Sequence, residues 1–370
     1  MTVFTDVYRR HDFQEVARDI ASQDEDRARA ALDRFEDELS LDDFRALISP
    51  AAGKFLEEMA QKARYITRKR FGNTMQLYAP LYLSNECFSD CTYCGFRFAN
   101  KTPRLTLSPE EAVREADHLY DQGIRHILLL TGEAYRATPP EYIADVSRRL
   151  AQRFTSIGIE VYPLKTEEYA SLRENGVDAL TIYQETYDPV RYREVHLKGV
   201  KSRLEYRLEC PDRAGAAQMR RINIGALLGL SDPAAEVFYC ALHARYLLKR
   251  YWRTQISVSL PRLRPAAGFA SVPELSDRRF TQYLCALRIF LPDIGLTLST
   301  RESPYLRDHL SPICITNMSA GSRTDPGGYS NLGAEEQFSI EDKRDIAAIR
   351  AMLERNGLEA LFVDWTPVMK

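Results

Sequence analysis

Two rhythms of apolar and polar positions divide this chain. From residue 75 onward, short apolar or β-branched runs alternate with amphipathic stretches of helical period, the runs falling at residues 76–84, 126–130, 158–164, 178–186, 222–230, 255–263, 295–300 and 313–318. Each run with the helical stretch after it reads as one βα unit. Eight units predict a parallel (β/α)8 barrel of TIM type, an α/β fold whose reactive residues sit at the C-terminal ends of strands and in the loops that follow. The helical stretches have recognisable starts. In Ser108-Pro109-Glu110-Glu111 the serine can cap, proline suits the first helical position and the acids favour the positive helix end. Thr166-Glu167-Glu168 and Ser276-Asp277 read the same way.

Ahead of this repeat the pattern is helical and highly charged. Residues 24–38 alternate acids, arginines and alanines around Leu32 and Phe35, and a second helical stretch at 52–70 runs into the turn signal Phe71-Gly72-Asn73. The expected organisation is a helical extension over 1–72, the barrel over 73–322, and a C-terminal extension over 323–370 with a short helix and strand packed on the barrel. At 370 residues the chain suits one large barrel with extensions. Its 50 basic residues against 52 acidic ones give a net charge of -2, which calls for neither nucleic acid nor an anionic membrane and points to small or neutral partners. No run of eighteen apolar residues exists and the N-terminus lacks a signal-peptide layout, so a cytoplasmic location is expected.

Seven cysteines, an odd number, argue against a disulfide framework. Cys210, Cys240, Cys285 and Cys314 are scattered and read as small buried hydrophobes. The other three are not scattered. Cys87, Cys91 and Cys94 follow the first strand in a CxxxCxxC spacing. Three thiolates on one short loop can hold three irons of a cubane cluster and leave the fourth open to a substrate, whereas clusters closed by four cysteines mostly pass electrons. Zinc is the rival occupant, but a structural zinc site wants four ligands and no histidine lies within twenty residues of the triplet.

Other strand ends are polar too: Thr131-Gly132-Glu133, Tyr183-Gln184-Glu185-Thr186-Tyr187, Ser259-Leu260-Pro261-Arg262-Leu263-Arg264, Ser299-Thr300-Arg301-Glu302 and Ser319-Ala320-Gly321-Ser322. The fifth run, with Gly225 and Gly229, suits a flat ring lying against backbone. Glu302 can equally serve to neutralise a nearby arginine. Arg207 and Arg213 lie in a helix-like segment, where a planar guanidinium can pair with a carboxylate or simply face solvent. No HExxH, G-x-G-x-x-G after a strand, or Walker motif appears, and the six histidines read as structural.

These residues carry a resemblance. Cys87-x-x-x-Cys91-x-x-Cys94, with Tyr93 before the last cysteine, resembles the signature of radical S-adenosylmethionine enzymes. Pro80-Leu81-Tyr82, Asp90-Cys91-Thr92-Tyr93-Cys94-Gly95-Phe96, Ile224-Gly225-Ala226-Leu227-Leu228-Gly229-Leu230, Ser299-Thr300-Arg301-Glu302-Ser303-Pro304 and Pro326-Gly327-Gly328-Tyr329 narrow it to a family similar to the tyrosine lyases of thiamine biosynthesis. The resemblance implies a 4Fe-4S cluster on Cys87, Cys91 and Cys94 and S-adenosylmethionine on its open iron. It also implies cleavage of L-tyrosine between Cα and Cβ, giving 2-iminoacetate and p-cresol for the thiazole of thiamine. By the same resemblance Tyr93, Glu133, Gln184, Glu185, Arg207 and Gly225 would hold the cofactor, while Tyr82, Arg301 and Ser319 would face the amino acid. Thiazole synthase and an electron donor such as flavodoxin or ferredoxin are the implied protein partners, with the helical prefix and residues 337–370 as docking surfaces. A tryptophan lyase is the alternative, and a hydrogenase-maturing relative is disfavoured because no cysteine follows Cys314.

Overall fold

The computed structural model describes residues 3–35, 39–269 and 273–363. All eight expected strands form: β1 Thr74–Ser84, β2 His126–Thr131, β3 Ser156–Glu160, β4 Ala179–Glu185, β5 Arg221–Ala226, β6 Gln255–Ser259, β7 Gly295–Leu298 and β8 Asn317–Ser319. Each is parallel to its neighbours, and β1 pairs with both β2 and β8, which closes the ring. A closed ring has no free edge, and its parallel strands are covered outside by the connecting helices. That is why the strands read as nearly continuous apolar runs.

The sequence pattern overextends four of them by four residues each, the sixth ending at Ser259 rather than at 263. The fifth run continues apolar past Ala226 because Leu227, Leu228 and Leu230 are buried where the chain bends, Leu228 bridging to Arg262. The third stops at Glu160, and its remainder is buried loop. The eighth starts only at Asn317, since Cys314 and Ile315 owe their burial to the turn beneath the strand. Ser108 caps Pro109–Asp121 in a reciprocal capping box with Glu111, and Ser276 caps Asp277–Phe290. Thr166 does not cap. Its helix, Thr166–Glu174, has Lys165 at the cap position, and the Glu168 carboxylate accepts from the Lys165 backbone N–H at 2.7 Å.

The prefix folds as helices Phe4–Tyr8, Phe13–Ala21, Glu25–Asp33, Leu41–Leu47 and Leu56–Phe71. Its apolar side packs on the barrel's outer helices: Phe4 stacks on His243 with centroids 3.6 Å apart, Phe44 stacks on Phe290 at 4.6 Å, and the Tyr8 hydroxyl donates to the Tyr187 carbonyl at 2.7 Å. Leu32 joins this core, but Phe35 lies beyond the helix end and is exposed; residues 36–38 of the same expected stretch lie outside the described residues. At the other end, helix Ile346–Arg355 leads to β9 Glu359–Leu361, which adds parallel to the start of β1. Cys210, Cys240, Cys285 and Cys314 are all buried and unlinked. Among the described residues no helix is long and apolar enough to cross a membrane.

Candidate active site

The loop after β1 carries the three cysteines and is held from three sides. Arg104 donates to the carbonyls of Asn85, Phe96, Arg97 and Asn100 at 2.7, 3.0, 2.9 and 3.2 Å, so one guanidinium organises the loop's outer turn. On a second side, Asp90 and Leu197 bond each other's backbone neighbourhood: Asp90 N–H to Lys198 O at 3.1 Å, Leu197 N–H to Asp90 O at 3.0 Å, with Thr92 N–H on Val195 O at 3.0 Å. On the third, Phe88 N–H donates to Glu133 O at 3.0 Å, just past β2. Gly132 is required there because a Cβ would lie 2.1 Å from the Glu86 carbonyl oxygen. The close approach that this glycine permits is to the cysteine loop rather than to a ligand.

Cys87, Cys91 and Cys94 open on one chamber at the top of the barrel. Burial pushes the Cys87 thiol up to about 11 and raises Cys91 and Cys94 as well, while Lys201 works the other way on the latter two. The free loop therefore keeps its protons, and metal binding must displace them. Among the described residues no three histidine, cysteine or carboxylate side chains converge as they would on a single ion. Three thiols opening on one chamber are the donor set that holds three irons of a cube and leaves the fourth open.

Glu133, Glu185, Arg207 and Tyr93 line the same chamber. Arg207, buried on the short helix Leu204–Leu208, donates to Glu133 at 2.9 Å and to the Tyr183 carbonyl at 2.7 Å, and lies 3.7 Å from Glu185. Ser89 donates to the second oxygen of Glu133 at 3.0 Å. Lys201 donates to Glu185 at 2.7 Å. Burial pushes the Glu185 carboxyl up, but Lys201 and Arg207 outweigh it and hold the group below its ordinary value. Tyr93 is fixed by a 2.8 Å bond between its hydroxyl and His196, a neutral, buried imidazole that also bonds the Tyr192 carbonyl.

Two expected cofactor ligands face elsewhere. Gln184 does not line the chamber: a bulge between Tyr183 and Glu185 turns both of those inward, and the Gln184 amide nitrogen is buried with no partner among the described residues. Gly225 does not line it either. A Cβ there would sit 1.9 Å from the Ser259 carbonyl oxygen and 3.0 Å from the Tyr183 ring, so glycine serves strand packing, and Leu227 is the residue of that segment that reaches the chamber. Arg213 is likewise structural, donating to the carbonyls of Leu164 and Tyr206 at 2.7 Å each.

A second hollow lies deeper in the barrel and shares Glu160, Tyr183, Pro261, Arg301, Gln337 and Phe338 with the first. Tyr82, Arg301 and Ser319 all line it. Arg262 is neutralised by Glu302 and Asp277, and Arg264 by Glu341, whereas Arg301 makes no ion pair to a described residue and lies over the Phe338 ring at 3.3 Å. Ser319 is the last residue of β8; its hydroxyl accepts from Thr300 N–H at 3.1 Å, which fixes the segment bearing Arg301. The C-terminal segment crosses the mouth. Gln337 accepts from the Tyr82 hydroxyl at 2.7 Å, points its amide at Cys94 Sγ at 3.7 Å, and takes the Gly95 N–H on its backbone carbonyl at 3.1 Å. Residues 337 and 338 are thus chamber wall rather than docking surface, while 364–370 of that expected surface lie outside the described residues.

Sequence reasoning missed Glu160, Lys201, Gln337 and Phe338. Glu160 had a signal, a carboxylate ending an apolar strand on the reactive face. Lys201, Gln337 and Phe338 sit in irregular segments with no periodicity to place them.

Comparison with known proteins bears on this geometry directly. Residues 81–238 match the radical SAM superfamily, and residues 259–359 match the biotin and thiamin synthesis associated domain. The 2-iminoacetate synthase of Escherichia coli (strain K12) is 42% identical over 368 residues, covering 99% of this chain and 97% of its own. The chain belongs to the 2-iminoacetate synthase family. The 2-iminoacetate synthase of Salmonella typhimurium matches to the same extent, 42% over 368 residues. Among solved structures, a hydrogenase maturase, HydG, superposes with a TM-score of 0.89 at 29% identity, covering 96% of this chain and 81% of that one. HydG from Carboxydothermus hydrogenoformans gives 0.83 at 32%, covering 97% and 87%. Membership in the 2-iminoacetate synthase family makes this a radical S-adenosylmethionine lyase with a 4Fe-4S cluster, which the three-thiol chamber fits. The tryptophan-directed alternative is not favoured by these relatives.

Proposed function

We propose that this chain cleaves the Cα–Cβ bond of L-tyrosine to 2-iminoacetate and p-cresol, forming 5′-deoxyadenosine and methionine from S-adenosylmethionine. The observation that carries the reading is the adjacency of the two hollows: the three thiols open on one, Arg301, without an ion pair among the described residues, faces both, and they share a wall. Cys87, Cys91 and Cys94 would hold the cluster, which would supply the electron for reductive cleavage of S-adenosylmethionine. Glu133, ion-paired to Arg207, and Glu185, ion-paired to Lys201, suit the amino and hydroxyl groups of that cofactor, with Tyr93 at its side. Gln184 and Gly225 act through the strands rather than by contact. Arg301 takes the substrate carboxylate, with Ser319 steadying the backbone beside it, and Tyr82 stands near the amine. A primary carbon radical attacks the nearest hydrogen, so the chain's main task is orientation and the exclusion of water. Gln337 and Phe338 serve the second need by covering the mouth.

We also propose the division 1–72, 73–322 and 323–370, an electron donor of flavodoxin or ferredoxin type, a cytoplasmic setting, and thiazole synthase as the acceptor of an imine too hydrolysable to release. Neither nucleic acid nor membrane enters this reading. Product analysis tests it: anaerobically reconstituted protein with S-adenosylmethionine, reductant and L-tyrosine is expected to yield 5′-deoxyadenosine and p-cresol together. Consumption of tryptophan with tyrosine left intact would overturn the substrate and keep the radical class.

A further inference from the structure

Glu160 has no role in the account above, yet it stands in the middle of the site. It ends β3, pairs across the ladder with Leu130, and Leu130 pairs with Tyr82, so the three share one layer of the barrel. Its side chain borders both hollows. Three tyrosines, Tyr78, Tyr82 and Tyr183, surround it closely enough for its charge to disfavour their ionisation, and two already bond another group: Tyr82 bonds Gln337 at 2.7 Å and Tyr183 bonds Ser259 at 3.3 Å. Glu160 itself makes no hydrogen bond or ion pair to any described residue. A part-buried carboxylate that borders two hollows and meets no protein donor among the described residues is open to a ligand that brings one.

The charges around it indicate what that is. Burial and Glu185 push the Glu160 carboxyl up to about 7, against Arg301, Lys201 and Arg207. Lys201 and Arg207 are committed to Glu185 and Glu133, which leaves Arg301 as the one of these three cations without an ion pair among the described residues. Arg301 follows β7, and in a ring of eight strands β3 and β7 are diametrically opposed. An extended amino acid bound by its carboxylate on the β7 side therefore directs its far end toward β3. For tyrosine that end is a hydroxyl, a donor looking for an acceptor.

We propose that Glu160 accepts a hydrogen bond from the substrate's phenol and is the residue that selects tyrosine over phenylalanine. The inference rests on the tyrosine reading given above and adds the subsite for its ring hydroxyl. A site built to bond a substrate hydroxyl rejects the analogue lacking it strongly, by up to about 10⁴-fold or more, because the pocket's polar group is then stranded. The test uses reconstituted holoenzyme and compares the KM for L-tyrosine with the inhibition constant of L-phenylalanine in wild type, Glu160→Gln and Glu160→Leu. Glu160→Leu is expected to raise the tyrosine KM at least tenfold and to leave phenylalanine binding unchanged or tighter. Glu160→Gln, whose amide oxygen still accepts, is expected to fall between, and it carries the same comparison if the leucine variant loses its cluster. Equal weakening of both amino acids would place Glu160 on the shared ammonium group and overturn the proposal, as would no change in either. A wild type that makes no p-cresol from tyrosine defeats the parent reading instead, so the two failures are distinct.

Discussion

At the scale of single residues, the buried charges decide how this protein responds to pH. Glu236, wholly buried on helix Pro233–Arg250, accepts from Thr186 and from Tyr187 N–H, yet burial raises its carboxyl to about 8 from an ordinary 4.5. A raised carboxyl means that the folded state holds the proton longer than the unfolded one. Its stabilising share is complete below about pH 4.5 and is lost as pH climbs through about 8. Glu236→Gln is uncharged throughout, so urea unfolding at pH 5, 6, 7 and 8 is expected to show wild type losing ground to the variant by up to about 1.4 kcal/mol per pH unit. Parallel curves would refute the buried proton. Residue identity was also the most legible layer of the sequence: the cysteine triplet, Glu133, Glu185, Arg207 and Arg301 all reach the chambers. Gln184 and Gly225 do not, because motif matching preserves order along a strand and says nothing about which face a bulge presents.

Among elements, the strap formed by residues 324–342 does what no strand can. Gln337 N–H on Thr324 O at 2.9 Å closes it on itself, Glu341 N–H on Thr300 O at 3.0 Å and Gly95 N–H on Gln337 O at 3.1 Å tie it to the barrel, and it delivers Gln337 and Phe338 to the mouth. Gln337→Ala removes the partner of the Tyr82 hydroxyl and the amide beside Cys94 while leaving the backbone bond to Gly95. Losing one buried hydrogen-bond partner costs about 1–3 kcal/mol, so the yield of p-cresol per 5′-deoxyadenosine is expected to drop on the order of tenfold with iron content unchanged. Chromatography of both products checks this, and a preserved ratio would leave the strap a passive cover. The barrel was readable because its periods repeat eight times; the strap was not, because irregular backbone held by long-range hydrogen bonds leaves no pattern in the local sequence.

At the scale of the whole molecule, the strap and barrel are joined by an ion pair with no exposure to water. Arg307 pairs with Asp342, both 0% exposed, and also donates to the Ser319 carbonyl, while Arg344 holds Asp342 from the other side at 2.7 Å. Removing Asp342 strands Arg307, at a cost of about 3–5 kcal/mol, whereas replacing both by apolar groups is often close to neutral. Asp342→Ala is accordingly expected to lower the denaturation midpoint sharply, and Arg307→Met with Asp342→Leu to lower it less than either single change. Additive losses in that cycle would show that the pair does not act as a unit.

The C-terminal region grips β1 at both ends, β9 against Thr74, Met75 and Gln76, and Gln337 against Tyr82. The first strand of the ring is therefore finished by residues at least 255 positions further along the chain. Any cut ahead of residue 337 would leave the ring intact in outline and strip the cysteine chamber of two of its wall residues, Gln337 and Phe338.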